Sequence, residues 1–237
     1  MFTKVILAVD MKEPLTDYMA LARYVSSRVN IDEDIIMSKG PSDVLDHSST
    51  KFAFGGKIGI DACKKPIANE PPAMVDRDAV LAKFPEIKSM NVSLLEAGIS
   101  LVVMGVQKTR KHQMQELGKA LLTEGLISGV KFLVFVDEAV DVNCLQDVAW
   151  LVLNNIDTQR DVKVMEHALV VDGTIKSLKL DNFERDWPNV IAMDDTIIKS
   201  VDEKWNRLGL GAFIDSPSLK YRKLMRGDGA CIIEDQS

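Results

Sequence analysis

The residues of this sequence best placed to do chemistry lie in one run, Phe52-Ala53-Phe54-Gly55-Gly56-Lys57-Ile58-Gly59-Ile60-Asp61-Ala62-Cys63-Lys64-Lys65. Three glycines beside a lysine let a backbone turn tightly and approach a bound group closely. The run is neither a GxGxxG after a strand nor a P-loop, because no helix-opening Lys-Ser/Thr follows. Two readings therefore stand side by side, a ligand-approaching loop and a glycine-rich surface turn. Asp61 is read as a turn-forming or capping carboxylate rather than a catalytic one.

The other reactive residue types are scattered. Cys63, Cys144 and Cys231 form no CxxC, which suits a reducing compartment and gives no zinc site. His47, His112 and His167 lack metal-ligand spacing and are read as structural or solvent-facing. The acidic pairs Asp137-Glu138, Glu184 with Asp186, and Asp194-Asp195 fall at strand ends, turns and helix starts, where carboxylates cap and solvate. No catalytic residue and no metal ligand follows from these patterns. A net charge of −6 argues against a general nucleic-acid binder. Met1 to Val9 runs into a strand-like segment without a signal-peptide plan. No apolar run approaches the roughly 18 residues needed to cross a bilayer, so a cytoplasmic protein is expected.

The 237 residues suffice for one large domain or two small ones. Lys4 to Val9 is short, apolar and β-branched, as in a strand buried on both faces. Pro14 is expected to open a helix carrying Leu15, Tyr18, Met19, Ala22 and Val25 at helical spacing. Ile35-Ile36-Met37 reads as a second strand, followed by a polar loop from Lys39 to Thr50 and then the glycine run. A linker-like segment with Pro66, Asn69, Pro71 and Pro72 precedes a helix candidate over 75–84. Strands over 100–106 and 131–137 alternate with helices over 112–122 and from about Leu145 to Leu153. Residues 161–171 read as extended, and a last helix over 196–208 is closed by Gly209. Ile232 and Ile233 read as a short edge strand or a frayed end.

Two parts of this pattern are copies. Lys4–Asp10 matches Lys131–Asp137 at a constant offset of 127 (131 − 4 and 137 − 10), and Ala22 and Val25 match Ala149 and Val152. Asn30-Ile31-Asp32 answers Asn155-Ile156-Asp157 at 125 (155 − 30), and Ile60–Lys65 answers Val171–Lys176 at 111 (171 − 60). Copy two has thus lost 16 positions (127 − 111) from the region of Asp43, Asp46, His47 and Gly-Gly-Lys. A shared scaffold with one specialised loop is expected. The expected fold is α/β, a layered sheet of mainly parallel strands with flanking helices in two pseudo-repeats. Residues 1–75 would form a partial first repeat with the glycine loop, and residues 76–237 a second repeat with a C-terminal helix and tail. Copy two has a strand and helix before Lys131 that copy one lacks before Lys4, which leaves the first strand without its expected neighbour.

At this level the sequence resembles a known family. Ser100-Leu-Val-Val-Met-Gly-Val-Gln-Lys108, a helix, and Val130-Lys-Phe-Leu-Val-Phe-Val-Asp137 resemble the C-terminal domain of UbiD-type carboxy-lyases, which decarboxylate polyprenyl-hydroxybenzoates and related aromatic acids. Asn155-Ile156-Asp157-Thr158-Gln159-Arg160-Asp161-Val162 is similar to the family's DPARD segment. Gly55-Gly56-Lys57-Ile58-Gly59-Ile60-Asp61-Ala62 is similar to its GSKMGIDAT. Arg185-Asp186-Trp187-Pro188 and the helix over 197–205 resemble its tail. A doubled C-terminal domain resembles longer members, some associated with menaquinone biosynthesis.

The resemblance implies a prenylated FMN and a divalent metal in the full enzyme, carried mainly by a preceding catalytic domain. Its Glu-Arg-Glu constellation and metal motifs have no match here. It implies that this chain binds neither alone and needs an N-terminal UbiD-like domain or subunit, with homo-oligomerisation common in the family. It also implies a cofactor- or substrate-facing role for Phe54, Gly55, Gly56, Lys57 and Asp61, with Lys57 and the glycine amides meeting an anion and Phe52 and Phe54 walling an aromatic substrate. The expected function is the C-terminal part of an aromatic acid decarboxylase that closes the active site with residues 52–65. The alternative is a stand-alone module that binds a small anion or serves assembly.

Overall fold

The computed structural model describes residues 2–64, 66–68 and 70–232; Lys65, Asn69 and Ile233 of the segments named above lie outside them. It comprises two compact units, Met1–Arg185 and Asp186–Ser237. The first unit begins with β1 (Val5–Ala8), α1 (Tyr18–Ser26), β2 (Ile35–Pro41) and β3 (Phe54–Asp61). Pro14 does not open α1. The Asp17 side chain accepts from Ala20 N at 3.0 Å and caps the helix there, leaving Pro14 in the preceding turn. The glycine run is not a loop either. It is β3, the central strand of a three-stranded sheet in the order β1-β3-β2. Lys39, Gly40 and Pro41, expected in a polar loop, extend β2 and pair with Gly56, Gly55 and Phe54. Pro41 is tolerated there because β2 is an edge strand.

The chain continues through β4 (Met74–Val75), α2 (Arg77–Lys83), β5 (Ile87–Asn91), α3 (Ser93–Glu96), β6 (Leu101–Val106), α4 (Gln113–Thr123) and β7 (Ile127–Ser128). Then come β8 (Phe132–Asp137), α5 (Leu145–Asn155), α6 (Thr158–Asp161), β9 (Val162–Met165), β10 (Ala168–Asp172) and α7 (Leu178–Asp181). These build a five-stranded sheet in the order β5-β6-β8-β10-β9. The fold is mixed α/β, with parallel pairing at the sheet centre and antiparallel edge strands that narrow the expectation of mainly parallel strands. Residues 161–171 are not continuously extended. Glu166 and His167, at φ 46° and 64°, form a tight turn that folds β9 back on β10. The core lies between this sheet and its helices, where Met104, Leu121, Leu133 and Phe135 are fully buried beside Met114, Leu117 and Val170. Each such side chain contributes about 1.5–3 kcal/mol.

The repeat holds at the level of strand register. Val5↔Ile58 in β1–β3 is answered by Phe132↔Leu169 in β8–β10, and Ile35↔Ile60 by Val162↔Val171. Between the helices and the hairpins one correspondence differs from the sequence alignment. Asn30 N donates to Asp34 Oδ2 at 2.9 Å, and Asp157 N donates to Asp161 Oδ2 at 2.8 Å. Asn30 therefore answers Asp157 rather than Asn155, because the same i to i+4 carboxylate bond ends both connections. The copies also exchange contacts. Lys4 Nζ donates to Leu153 O and Ile156 O at 3.3 and 2.9 Å, and Lys131 Nζ to Ser26 O at 2.7 Å. Each leading lysine thus meets the carbonyl end of the other copy's helix, the favourable pole for a cation.

In the second unit, the expected helix over 196–208 is split into α8 (Asp195–Asp202) and a 3₁₀ turn (Trp205–Arg207), with Gly209 left-handed at φ 65°. Asn189 gathers its loop by donating to Arg226 O, Gly227 O and Gly229 O and accepting from Arg226 N. Cys231 forms an isolated bridge with Pro188.

Candidate functional site

What copy one has and copy two lacks is an arm: β2 and β3 run on past the common hairpin and carry residues 42–53 between them. Its base is built on backbone proximity. Gly56 N donates to Asp157 Oδ1 at 2.9 Å in a buried contact. A Cβ on Gly56 would stand 2.5 Å from Gln159 N and Thr158 Oγ1, so β3 reaches α6 only through glycine. Gly55 is nearly as close, with a Cβ falling 3.0 Å from Ser49 Cβ and 3.3 Å from Asp157 Oδ2. Next to this base, Lys4 Nζ donates to Asp46 Oδ1 at 3.2 Å and Ser48 Oγ at 2.8 Å, and Ser48 Oγ donates to Ile156 O at 2.8 Å. Burial pushes the Asp46 carboxyl up, but the Ser48 hydrogen bonds and the Lys4 charge outweigh it and hold the group below its ordinary range. Burial pushes the His47 imidazole below its ordinary value. Arg185 Nη1 donates to Ser49 O at 2.8 Å, with its guanidinium 5.9 Å from the Phe52 ring centre.

The five residues singled out in sequence separate into two sets. Gly55 and Gly56 are buried, and the Gly56 amide is given to Asp157. Phe54 is 42% exposed at the root of the arm, and Lys57 Nζ donates to Thr3 O at 3.0 Å. Asp61 ends β3 in a turn, accepting from Cys63 N at 2.9 Å, and that bond holds its carboxyl below the ordinary range. The structure does not gather them around one space.

A charge network that sequence reasoning missed lies at the ends of β6 and β10. Lys108 Nζ donates to Asp181 Oδ1 at 2.5 Å, Thr174 Oγ1 at 3.1 Å and Asp172 Oδ2 at 3.3 Å. Lys176, fully buried, meets Thr174 O at 2.5 Å, Asp172 O at 3.0 Å and the carboxylates of Asp172 and Asp161 at 3.3 and 3.6 Å. Arg160 grips Asp161 with a two-pronged fork, Nε to Oδ1 at 2.8 Å and Nη2 to Oδ2 at 2.7 Å. Three cations face three carboxylates, and each of the named groups has a partner of opposite charge. Such a closed set orients backbone and resists exchange; it offers no spare base for proton transfer. The available signal was the repeat, since Asp172 answers Asp61, but a buried lysine carries no mark in sequence.

Burial pushes the Asp172 carboxyl up, yet the Lys176 and Lys108 charges and the Thr174 hydrogen bonds overcome this and hold it at about 2. A folded-state value below the unfolded one stabilises the protein above the unfolded range, and the contribution is lost as pH falls through the folded value. Stability is therefore expected to drop by about 2 kcal/mol between pH 5 and pH 2 from this group alone. Urea midpoints across that range check it, with Asp172→Asn flattening the slope.

Among the described residues, no group of three or more His, Cys, Asp or Glu side chains is arranged to hold a metal ion. The glycine strand does not fit a flavin phosphate, because the Gly56 amide and the space before it are taken by Asp157, Thr158 and Gln159. Also among the described residues, no helix is long and apolar enough to cross a membrane.

The model of the 3-octaprenyl-4-hydroxybenzoate carboxy-lyase C-terminal domain matches residues 1–62 and 72–181. This chain belongs to that family. An uncharacterised protein of Helicobacter pylori is 32% identical over 197 residues, covering 80% of this chain and 31% of its own length. An uncharacterised protein of Aquifex aeolicus is 30% identical over 148 residues, covering 55% and 30%. The chain thus spans about a third of the length of the curated relatives it matches. Among solved structures, the vanillic acid decarboxylase of Sedimentibacter hydroxybenzoicus in closed form is 17% identical, with a TM-score of 0.43, over 56% of this chain and 31% of that one. An evolved dimeric form of the UbiD-class enzyme HmfF from Pelotomaculum thermopropionicum, in complex with prFMN, is 17% identical, with a TM-score of 0.39, over 64% and 41%.

Proposed function

We propose that this chain is the C-terminal part of a UbiD-like aromatic acid decarboxylase of the quinone-biosynthesis type, inactive by itself. In this reading a separate catalytic half carries the prenylated flavin, its metal and the acid–base groups, and the assembled enzyme is a homo-oligomer. The observation that carries the reading is the arm, present in one copy only. Its root is fixed by the Gly56–Asp157 contact, and it presents Leu45, Phe52 and Phe54 at 86, 69 and 42% exposure. Apolar side chains held out from a rigid base fit a surface completed by something else. The work of the chain's own residues is then to wall and dry one side of the active site. Phe52 and Phe54 exclude water and bound an aromatic acid, Lys57 adds a positive charge nearby, and Gly55 and Gly56 hold the arm in place.

The test is carbon dioxide release from aromatic acids by the chain, by its UbiD-like catalytic half, and by the two together. The reading predicts turnover only for the mixture, with Phe54→Ala lowering kcat/KM about tenfold, roughly 1.4 kcal/mol of transition-state stabilisation. Turnover by the chain alone would refute it.

A further inference from the structure

The two copies differ in a second respect, at the other edge of the sheet. In copy two, β6 pairs along the outer edge of β8, from Leu101↔Phe132 to Val106↔Asp137. The helix after it, α4, covers the face made by Leu133, Phe135 and Val170, with Gly118 leaving room for Val170. In copy one, β1 is an edge strand, and no described residue pairs with its outer side. The counterparts of the covered face are Ile6, Ala8 and Gly59, with Ile36 paired beside Gly59. Ile6 is 43% and Ile36 66% exposed, whereas Leu133, the counterpart of Ile6, is at 0%.

The backbone and the charges carry the same asymmetry. Lys4 O accepts from Ile58 N of β3, and Ala8 O from Ala62 N just past its end. By the alternation of a parallel strand, Val5 and Leu7 turn their N–H and C=O groups to the open side. Asp61 keeps the turn of its counterpart, accepting from Cys63 N as Asp172 accepts from Thr174 N. Asp172 is also met by Lys108, which stands just past the end of β6, whereas among the described residues no lysine donates a hydrogen bond to Asp61. Among the described residues, Gly59 meets only Ile36 within 4 Å of where its Cβ would be, so room that α4 finds on its own glycine lies here on the sheet.

We infer that this edge and face are the docking surface for a strand–helix unit of the catalytic half. Its strand runs parallel to β1 and pairs with Val5 and Leu7. A lysine or arginine two residues past its end reaches Asp61. Its helix lies over Ile6, Ala8 and Ile36 and carries a large side chain above Gly59, where α4 has Gly118. The partner rests on the reading of the chain as one part of a decarboxylase; the shape of the occupant rests on copy two alone.

The experiment is amide hydrogen exchange at Val5 and Leu7, read in three samples. In the chain alone both exchange fast. In the complex with the purified catalytic half they slow at least 100-fold, and Ile6→Lys weakens that complex at least tenfold while leaving the circular dichroism of the free chain unchanged. In a fusion with a second copy of residues 99–130 placed directly before Lys4, at the repeat's own spacing, they slow without any catalytic half. A fusion that leaves them fast overturns the surface. An active complex that leaves them fast overturns it too, while the decarboxylase reading stands. A catalytic half that neither binds nor restores turnover overturns that reading and the assigned partner, even with a protected fusion. Slow exchange in a self-associated chain overturns the partner in favour of a second copy.

Discussion

Gly56→Ala is expected to lower the stability of the first unit by about 3 kcal/mol and to release the arm. The added methyl would stand 2.5 Å from a backbone nitrogen, Gln159 N, and 2.6 Å from Asp157 Oδ1, neither of which swings away as a flexible side-chain end would. Moving β3 outward to make room breaks the buried bond from Gly56 N to Asp157, a charge-assisted one. Gly59→Ala is the control on the same strand. Its Cβ meets nothing nearer than Ile36 Cβ at 3.7 Å, an ordinary contact, so a change within about 0.5 kcal/mol of neutral is expected. Urea denaturation of both variants measures the difference. Equal effects would show that strand propensity, and not the approach to α6, sets the cost.

Lys176→Met is expected to cost about 3–5 kcal/mol, the usual consequence of removing one side of a buried charge pair. Methionine fills much of the space but leaves the buried Asp161 carboxylate and the part-buried Asp172 carboxylate, both within reach of the lost ammonium, short of one cation. Three features identify the mechanism. The loss is largest near neutral pH and shrinks toward pH 2 as the carboxylates protonate. Lys176→Met combined with Asp172→Asn costs less than the sum of the two single changes, because the pair is coupled. Lys57→Met, on the arm strand with a part-exposed side chain, changes stability by less than about 1 kcal/mol. A flat pH response of the Lys176 variant would mean that lost packing, not lost charge, accounts for its instability.

Some of this was legible in sequence for clear physical reasons. β1, β6 and β8 are short apolar runs rich in β-branched residues, and the Lys-to-Asp pattern shared by β1 and β8 exposed the repeat before any register was known. The glycine run was misread because glycine is depleted in strands, so local propensity argued for a turn. Its reason for being glycine stands a hundred positions away, at Asp157, Thr158 and Gln159, and no local pattern shows it. Pro14 competed with Asp17 for the start of α1, and a side chain able to bond Ala20 N won. The network of Lys108, Arg160 and Lys176 was invisible for another reason. A lysine that will be buried reads like one that will be solvated until the carboxylates around it are known.

The proposed division of labour has the flavin held by the catalytic half and its site closed by this chain. The visible spectrum of the chain, purified after co-expression with a flavin prenyltransferase, tests that division most directly. The account predicts a colourless protein, with flavin absorbance appearing only when the catalytic half is co-purified. Flavin absorbance at one equivalent in the chain alone would contradict it, and would place a cofactor site on residues assigned here to packing.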